Sequence, residues 1–274
     1  MDLFISTFIS YTENILPWFV LGTAAAYVID RSVDIRANRS FLGKVSVRNV
    51  LLAQAAGMIS PLSVMSALPI SGELVRLGAQ PLMLLGFLIA ERAYDLQSFF
   101  IISNLFGIKT AVINALIIFV SLVASTWSFR REKFQFTADK TKEKTNYWRG
   151  QGKTLLVVFV GITIGAVLRV VVPLTSLGVL MGSWLGSVIT SLLLGFGLYF
   201  GTILGNYPVA KSLADLGMAP VGTMVFLSVS PIFNLVVMTL FLSVIKGKYV
   251  VKMFGIYTLA SLTLSILTSL LVVG

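Results

Sequence analysis

The sequence predicts an all-α polytopic membrane protein with two repeated halves and about eight membrane segments. Three observations predict it: composition, recurrent apolar stretches of membrane length, and a gapless internal repeat. Of 274 residues, 57% are hydrophobic and 12% charged, and the mean hydropathy is +0.93, whereas soluble domains carry about 25% charged residues. A water-soluble chain this apolar could not cover its own surface. Stretches approaching the roughly 20 residues that span hydrocarbon lie near Ile15 to Ile29, Val50 to Leu68, Pro81 to Ser103, Thr110 to Ser128, Leu155 to Pro173, Val179 to Gly205, Val221 to Ile245 and Met253 to Val273.

The first of these follows Met1-Asp2 without a basic n-region. Ala24-Ala25-Ala26, the one cleavage-like pattern, sits inside apolar sequence. The segment is therefore expected to stay in the mature protein. Cysteine and histidine are both absent, which removes disulfides, thiolate and imidazole metal ligands and the usual neutral-pH acid-base group. No cofactor or metal is expected.

Three basic stretches interrupt the apolar ones. The first holds Arg31, Arg36, Arg39, Lys44 and Arg48. The second holds Arg130, Arg131, Lys133, Lys140, Lys142, Lys144, Arg149 and Lys153, and the third holds Lys246, Lys248 and Lys252. Short loops rich in Lys and Arg stay cytoplasmic, so the net charge of +10 is read as a topology signal and a contact for anionic lipid, not for nucleic acid. Eight full spans would put the middle stretch on the wrong side. The conflict disappears if Val50 to Gly78 and about Val179 to Gly217 are re-entrant or broken hairpins; proline-kinked helices in a bundle are the alternative. Pro61, Pro69, Gly195, Gly197, Gly201, Gly205 and Pro208 free backbone groups that lipid cannot satisfy, so these segments must be buried in protein or line a wet cavity. The expected organisation is a first membrane repeat over 1–128, a basic cytoplasmic linker over 129–153 and a second repeat over 154–274, in a multi-pass plasma-membrane protein.

Shifting the chain by 139 positions aligns Pro69 to Pro81 with Pro208 to Pro220, both reading P-x4-L-x2-L-G-x2-P. The match continues as Phe87-Leu88 onto Phe226-Leu227 and Tyr94-Asp95-Leu96 onto Phe233-Asn234-Leu235. With the hairpin topology each half crosses the membrane an odd number of times, which inverts the second half relative to the first. Inverted repeats with paired interrupted segments are a secondary-transporter architecture, with the substrate between those segments.

Leu16-Pro17, Gly57 to Gly78, Gly86 to Ala90 and Pro208 to Asn234 carry a resemblance covering nearly the whole chain. It resembles the predicted permeases that include organoarsenical efflux permeases. In that family the first interrupted segment reads P-[LA]-C-x-C-G-x2-P and the next helix A-P-x2-N-P. Here Ser63 and Met65 occupy the cysteine positions, Ser66 the glycine, Glu91-Arg92 the Ala-Pro pair and Asp95 the asparagine. Soft thiolates hold thiophilic solutes; without one cysteine, the resemblance implies the fold and a permease, not the substrate.

Two sets of residues stand out. Small polar or Pro-linked positions in and near the interrupted segments form a candidate substrate path: Ser60, Pro61, Ser63, Met65, Ser66, Pro69, Thr202, Asn206, Tyr207, Pro208, Pro231 and Asn234. They could equally bond back to their own helices or fill core gaps. Glu91, Arg92 and Asp95 form a candidate coupling set, since ionisable groups at membrane depth are costly. On one continuous helix Glu91 and Asp95 share a face and Arg92 pairs with Asp95 at i+3, leaving Glu91 to load and release a proton as the coupling group; snorkelling at an interface is the bland alternative. Glu73, Arg76, Lys211 and Asp215 are expected to be surface charges.

These features point to a permease moving a small solute by alternating access, in the efflux direction if the family holds, as a monomer or homo-oligomer. Two other classes stay open: a non-transporting membrane scaffold, and an intramembrane enzyme limited to carboxylates. Gly152-Lys153-Thr154 resembles the end of a phosphate-binding loop, but Tyr147 stands where its first glycine belongs.

Overall fold

The computed structural model describes residues 2–32, 42–60, 75, 78–132, 136, 147–171, 181–198 and 203–273. Among these every regular element is a helix. In chain order they are α1 (Asp2–Ser32), α2 (Val47–Ile59), α3 (Pro81–Ala93), α4 (Leu96–Phe106), α5 (Ile108–Trp127), α6 (Tyr147–Val171), α7 (Trp184–Gly197), a 3-10 turn (Ile203–Gly205), α8 (Asn206–Asp215), α9 (Pro220–Val229), α10 (Leu235–Val244) and α11 (Gly247–Val273).

The helix starts follow local chemistry. Ser46, Asp95, Ser183 and Asn234 cap α2, α4, α7 and α10 by accepting a hydrogen bond from a backbone N–H three residues on, which supplies a partner to an otherwise orphaned donor. Pro81 and Pro220 occupy the first turns of α3 and α9, where a missing N–H costs nothing. Three residues before each, Gly78 and Gly217 adopt φ of 99° and 93°, a conformation other residues avoid.

The 139-residue offset holds in the backbone. It relates the starts of α3, α4 and α5 to those of α9, α10 and α11. It also relates Gln80 N donating to Leu42 O (2.7 Å) to Ala219 N donating to Met181 O (2.9 Å). In the first half α2 packs on α3 and α5; in the second α7 packs on α9, which packs on α11. The halves meet where α1 packs on α6 and α5 on α11.

Two helices are long and apolar enough to cross a membrane, Ile108–Trp127 and Gly247–Leu270. They are partners under the offset. Their burial pattern runs against that of a soluble core: on α11 Leu259 is 66% exposed while Ser261 and Ser265 are fully buried. An apolar rim around a partly polar interior suits a lipid solvent.

Two expectations are corrected. Pro81 to Ser103 and Val221 to Ile245 are not continuous helices. The first breaks where Tyr94 turns extended (φ −159°), the second over Ser230 to Asn234, between α9 and α10. Hydrophobicity carries across both breaks, and the capping side chains Asp95 and Asn234 select them. The P-to-P connection from Pro208 to Pro220 is also largely helical, as α8. The corresponding Pro69 to Gly78 connection lies mostly outside the described residues.

Candidate functional site

The two breaks bring the interior polar groups together. At the first, the Asp95 carboxylate accepts hydrogen bonds from Ser98 N (2.6 Å) and Ser98 Oγ (2.7 Å). Ser98 and Gln97 are buried, and Gln97 Nε2 donates to Thr23 Oγ1 of α1. At the second, Asn234 Oδ1 accepts from Val237 N at 2.8 Å, and its Nδ2 donates to Ser230 O at 2.9 Å and Pro231 O at 3.3 Å. A buried amide is thus satisfied on both ends.

Consecutive residues at the start of α8 join the breaks. Asn206 Nδ2 donates to Ser230 Oγ at 3.0 Å, in the second break. Tyr207, 1% exposed, sets its phenol against Ser98 in the first break, within electrostatic reach of Asp95, Tyr94 and Arg92. The 3-10 turn and α8 both touch α4. One turn of chain therefore contacts both discontinuities, and both capping groups stand at positive helix N-termini.

Glycine permits this approach. A Cβ on Gly161 of α6 would collide with the Gly205 backbone, and one on Gly165 would press on Pro208 O and Ser212 Oγ. Beyond them, the single Ser212 Oγ proton is shared between Gly165 O at 2.8 Å and Tyr11 Oη at 3.0 Å. Tyr11 Oη in turn donates to Asp215 Oδ2 at 3.1 Å, and Lys211 bridges Asp215 at 2.8 Å.

Of the candidate path residues, Asn206, Tyr207, Pro208, Pro231 and Asn234 are buried in or beside this cluster. Ser60, also buried, caps the end of α2. Pro61, Ser63, Met65, Ser66, Pro69 and Thr202 lie outside the described residues, as do Glu73 and Arg76. Glu91 and Arg92 fall in the last turn of α3, partly buried, next to the first break. The helical spacing expected for Glu91, Arg92 and Asp95 does not form. The chain is extended at Tyr94, and Asp95 caps α4, with the Arg92 charge still acting on its carboxylate.

Sequence reasoning missed Ser98 and Ser230, and it missed Gly161 and Gly165. The last two were legible as a small-xxx-small pair; Ser98 was legible as the residue that an N-cap aspartate contacts. Comparison with family models, curated proteins and solved structures finds no match for this chain.

At the end of the bundle bearing the basic residues, Lys252 Nζ bridges Glu132 Oε1 at 2.7 Å, joining the chain after α5 to the start of α11. Lys252 also sits 4.9 Å from the Phe129 ring, Lys248 4.8 Å from Tyr249 and Arg130 5.1 Å from Trp127. Two of the three basic stretches thus share one end, with the aromatic company expected at a membrane interface.

Proposed function

We propose that the chain is a multi-pass membrane permease with inverted halves. In it α3/α4 and α9/α10 are discontinuous membrane helices, and a small solute crosses between their breaks by alternating access. The observation that carries this reading is the meeting of Asp95–Ser98 and Ser230–Asn234 through Asn206 and Tyr207. Secondary transporters bind solutes and coupling ions at paired broken helices, whose N-termini and freed backbone groups face a protected interior. The short α2 and α7, of 13 and 14 residues, support segments that enter without crossing. The shared basic end supports cytoplasmic loops in the plasma membrane.

The resemblance to the organoarsenical permease family points the same way, with an unidentified solute because the cysteines are replaced. Such a permease needs no catalytic residue and no cofactor. Asp95 is the coupling group in this reading, and Glu91 and Arg92 set the potential around it.

Flux of a panel of labelled small solutes into proteoliposomes tests it. The expected result is saturable uptake of at least one solute, lowered tenfold or more in Asn206→Ala and altered in its response to a proton gradient in Asp95→Asn. No uptake across the panel, or uptake indifferent to both substitutions, would leave a scaffold as the better reading.

A further inference from the structure

A cavity of about 360 Å³ opens where α4, α5, α8, α9 and α11 converge, a volume within the range of small-molecule sites. Phe106, Met218 and Met224 give it apolar walls, and among the described residues Lys109 is the one charged residue on its lining. Lys109 and Thr110 belong to the first turn of α5, and Pro220 and Thr223 to the first turn of α9. Two helix N-termini therefore add partial positive charge. The neighbouring carboxylate, Asp215, is bridged by Lys211.

One hydroxyl on the cavity lining has no partner among the described residues. Thr223, 8% exposed, lines it and its hydroxyl makes no hydrogen bond among the described residues. Thr268 and Ser269, which also line the cavity, bond back to the carbonyls of their own helix. Buried donors without acceptors are costly, and an anionic ligand supplies acceptors.

The other end of the molecule shows what fills such a space. Under the 139-residue offset Thr110 and Thr268 correspond to Tyr249 and Phe129. Those two rings pack edge to face with centroids 6.2 Å apart, and Phe129 is fully buried. Threonines in place of aromatic rings leave the first site open.

We propose that this cavity binds a small amphipathic anion, its head at Lys109 and the Thr223 hydroxyl and its apolar body against Met218 and Met224. The site is distinct from the broken-helix site, and the proposal does not require transport.

The test is equilibrium binding of radiolabelled octanoate to the full-length protein in phosphatidylcholine nanodiscs, with octan-1-ol and octyltrimethylammonium as neutral and cationic probes. The expected result is saturable binding with octanoate preferred over the cation. Lys109→Gln should weaken octanoate on the order of tenfold, the usual size for a hydrogen bond to a charged group, and leave octanol unchanged. Thr110→Tyr with Thr268→Phe, which installs the residues of the filled end, should abolish binding of both while elution and melting stay normal. If that double variant does not fold, Thr223→Val serves instead, expected to weaken octanoate more than octanol. Binding no greater than to empty discs, equal affinity for the cation, or indifference to Lys109→Gln would overturn the proposal. Competition by added phosphatidylglycerol would identify the occupant as a membrane lipid, and its absence a free solute. Octanoate binding without solute flux would leave this site standing and count against the permease; flux without octanoate binding would do the reverse.

Discussion

The break at Tyr94–Asp95 and the break at Ser230–Asn234 share a geometry and differ in charge. In each, a side-chain oxygen caps the following half-helix, with the donor three residues on. Asp95 brings a carboxylate and a hydroxyl partner in Ser98, whereas Asn234 brings a neutral amide and donates back to Ser230 and Pro231. Asn and Asp are near-equal N-caps, so helix geometry does not demand the difference. The first break holds a charge that conformation alone would not require, and charges in such surroundings are costly. In the reading proposed above, that asymmetry is what lets the first break respond to an ion or a proton.

The comparison breaks most severely if α8 is moved, because Asn206 and Tyr207 serve both sides. Gly161→Leu drives a side chain into the Gly205 backbone, and a loss on the order of 3 kcal/mol is expected. It would be read as a large fall in the melting temperature of purified protein, with solute binding lost at both breaks. Gly197, whose Cβ position faces nothing within 4 Å, should accept alanine with little change.

Removing the caps sharpens the contrast at smaller cost. Asp95→Ala and Asn234→Ala should each lose roughly 1 kcal/mol from the missing cap. Asn234→Ala should lose somewhat more, because its amide also closes the chain reversal through Ser230 and Pro231. Exchanging the caps separates stability from function. Asp95→Asn keeps the N-cap and should shift stability by no more than about 0.5 kcal/mol, yet abolish any pH-gradient response of flux. An unchanged response would show the charge to be incidental.

The smallest effect belongs to the basic end. The hydrogen bond from Lys252 holds the Glu132 carboxyl below the ordinary carboxylate range. A depressed folded-state pKa contributes stability above the unfolded value and loses it as pH falls through the folded one. Lys252→Gln should therefore lower melting slightly at neutral pH and not at all once Glu132 is protonated, a difference thermal scans at neutral and acid pH would detect. The pair is exposed, so the effect is small.

Much of this arrangement was legible in the sequence. The 139-residue offset found from two prolines and a glycine turned out to align Gly78 with Gly217 and the Leu42–Gln80 bond with its counterpart, because those residues impose backbone geometry that composition cannot blur. The breaks in α3/α4 and α9/α10 were not legible as breaks. Hydropathy stays high through Tyr94 and Phe233, and the marker in each case is one capping side chain that a helical reading treats as a charge or amide on a face. The cavity at Lys109 was invisible for a different reason: its walls come from five helices, and what opens it is the smallness of Thr110 and Thr268 relative to Tyr249 and Phe129.

Substituted-cysteine accessibility distinguishes a solute path between the breaks from a sealed interior, and the cysteine-free chain provides the background. Ser98→Cys and Asn206→Cys, one at each break, would be treated in native membranes with a water-soluble thiol reagent. Leu193→Cys serves as the control on the apolar rim, where Leu193 is 69% exposed. If a solute path runs between the breaks, both interior cysteines label faster than the control, and added substrate slows them together. Interior cysteines that stay unlabelled like the Leu193 control would contradict the path and, with it, the permease.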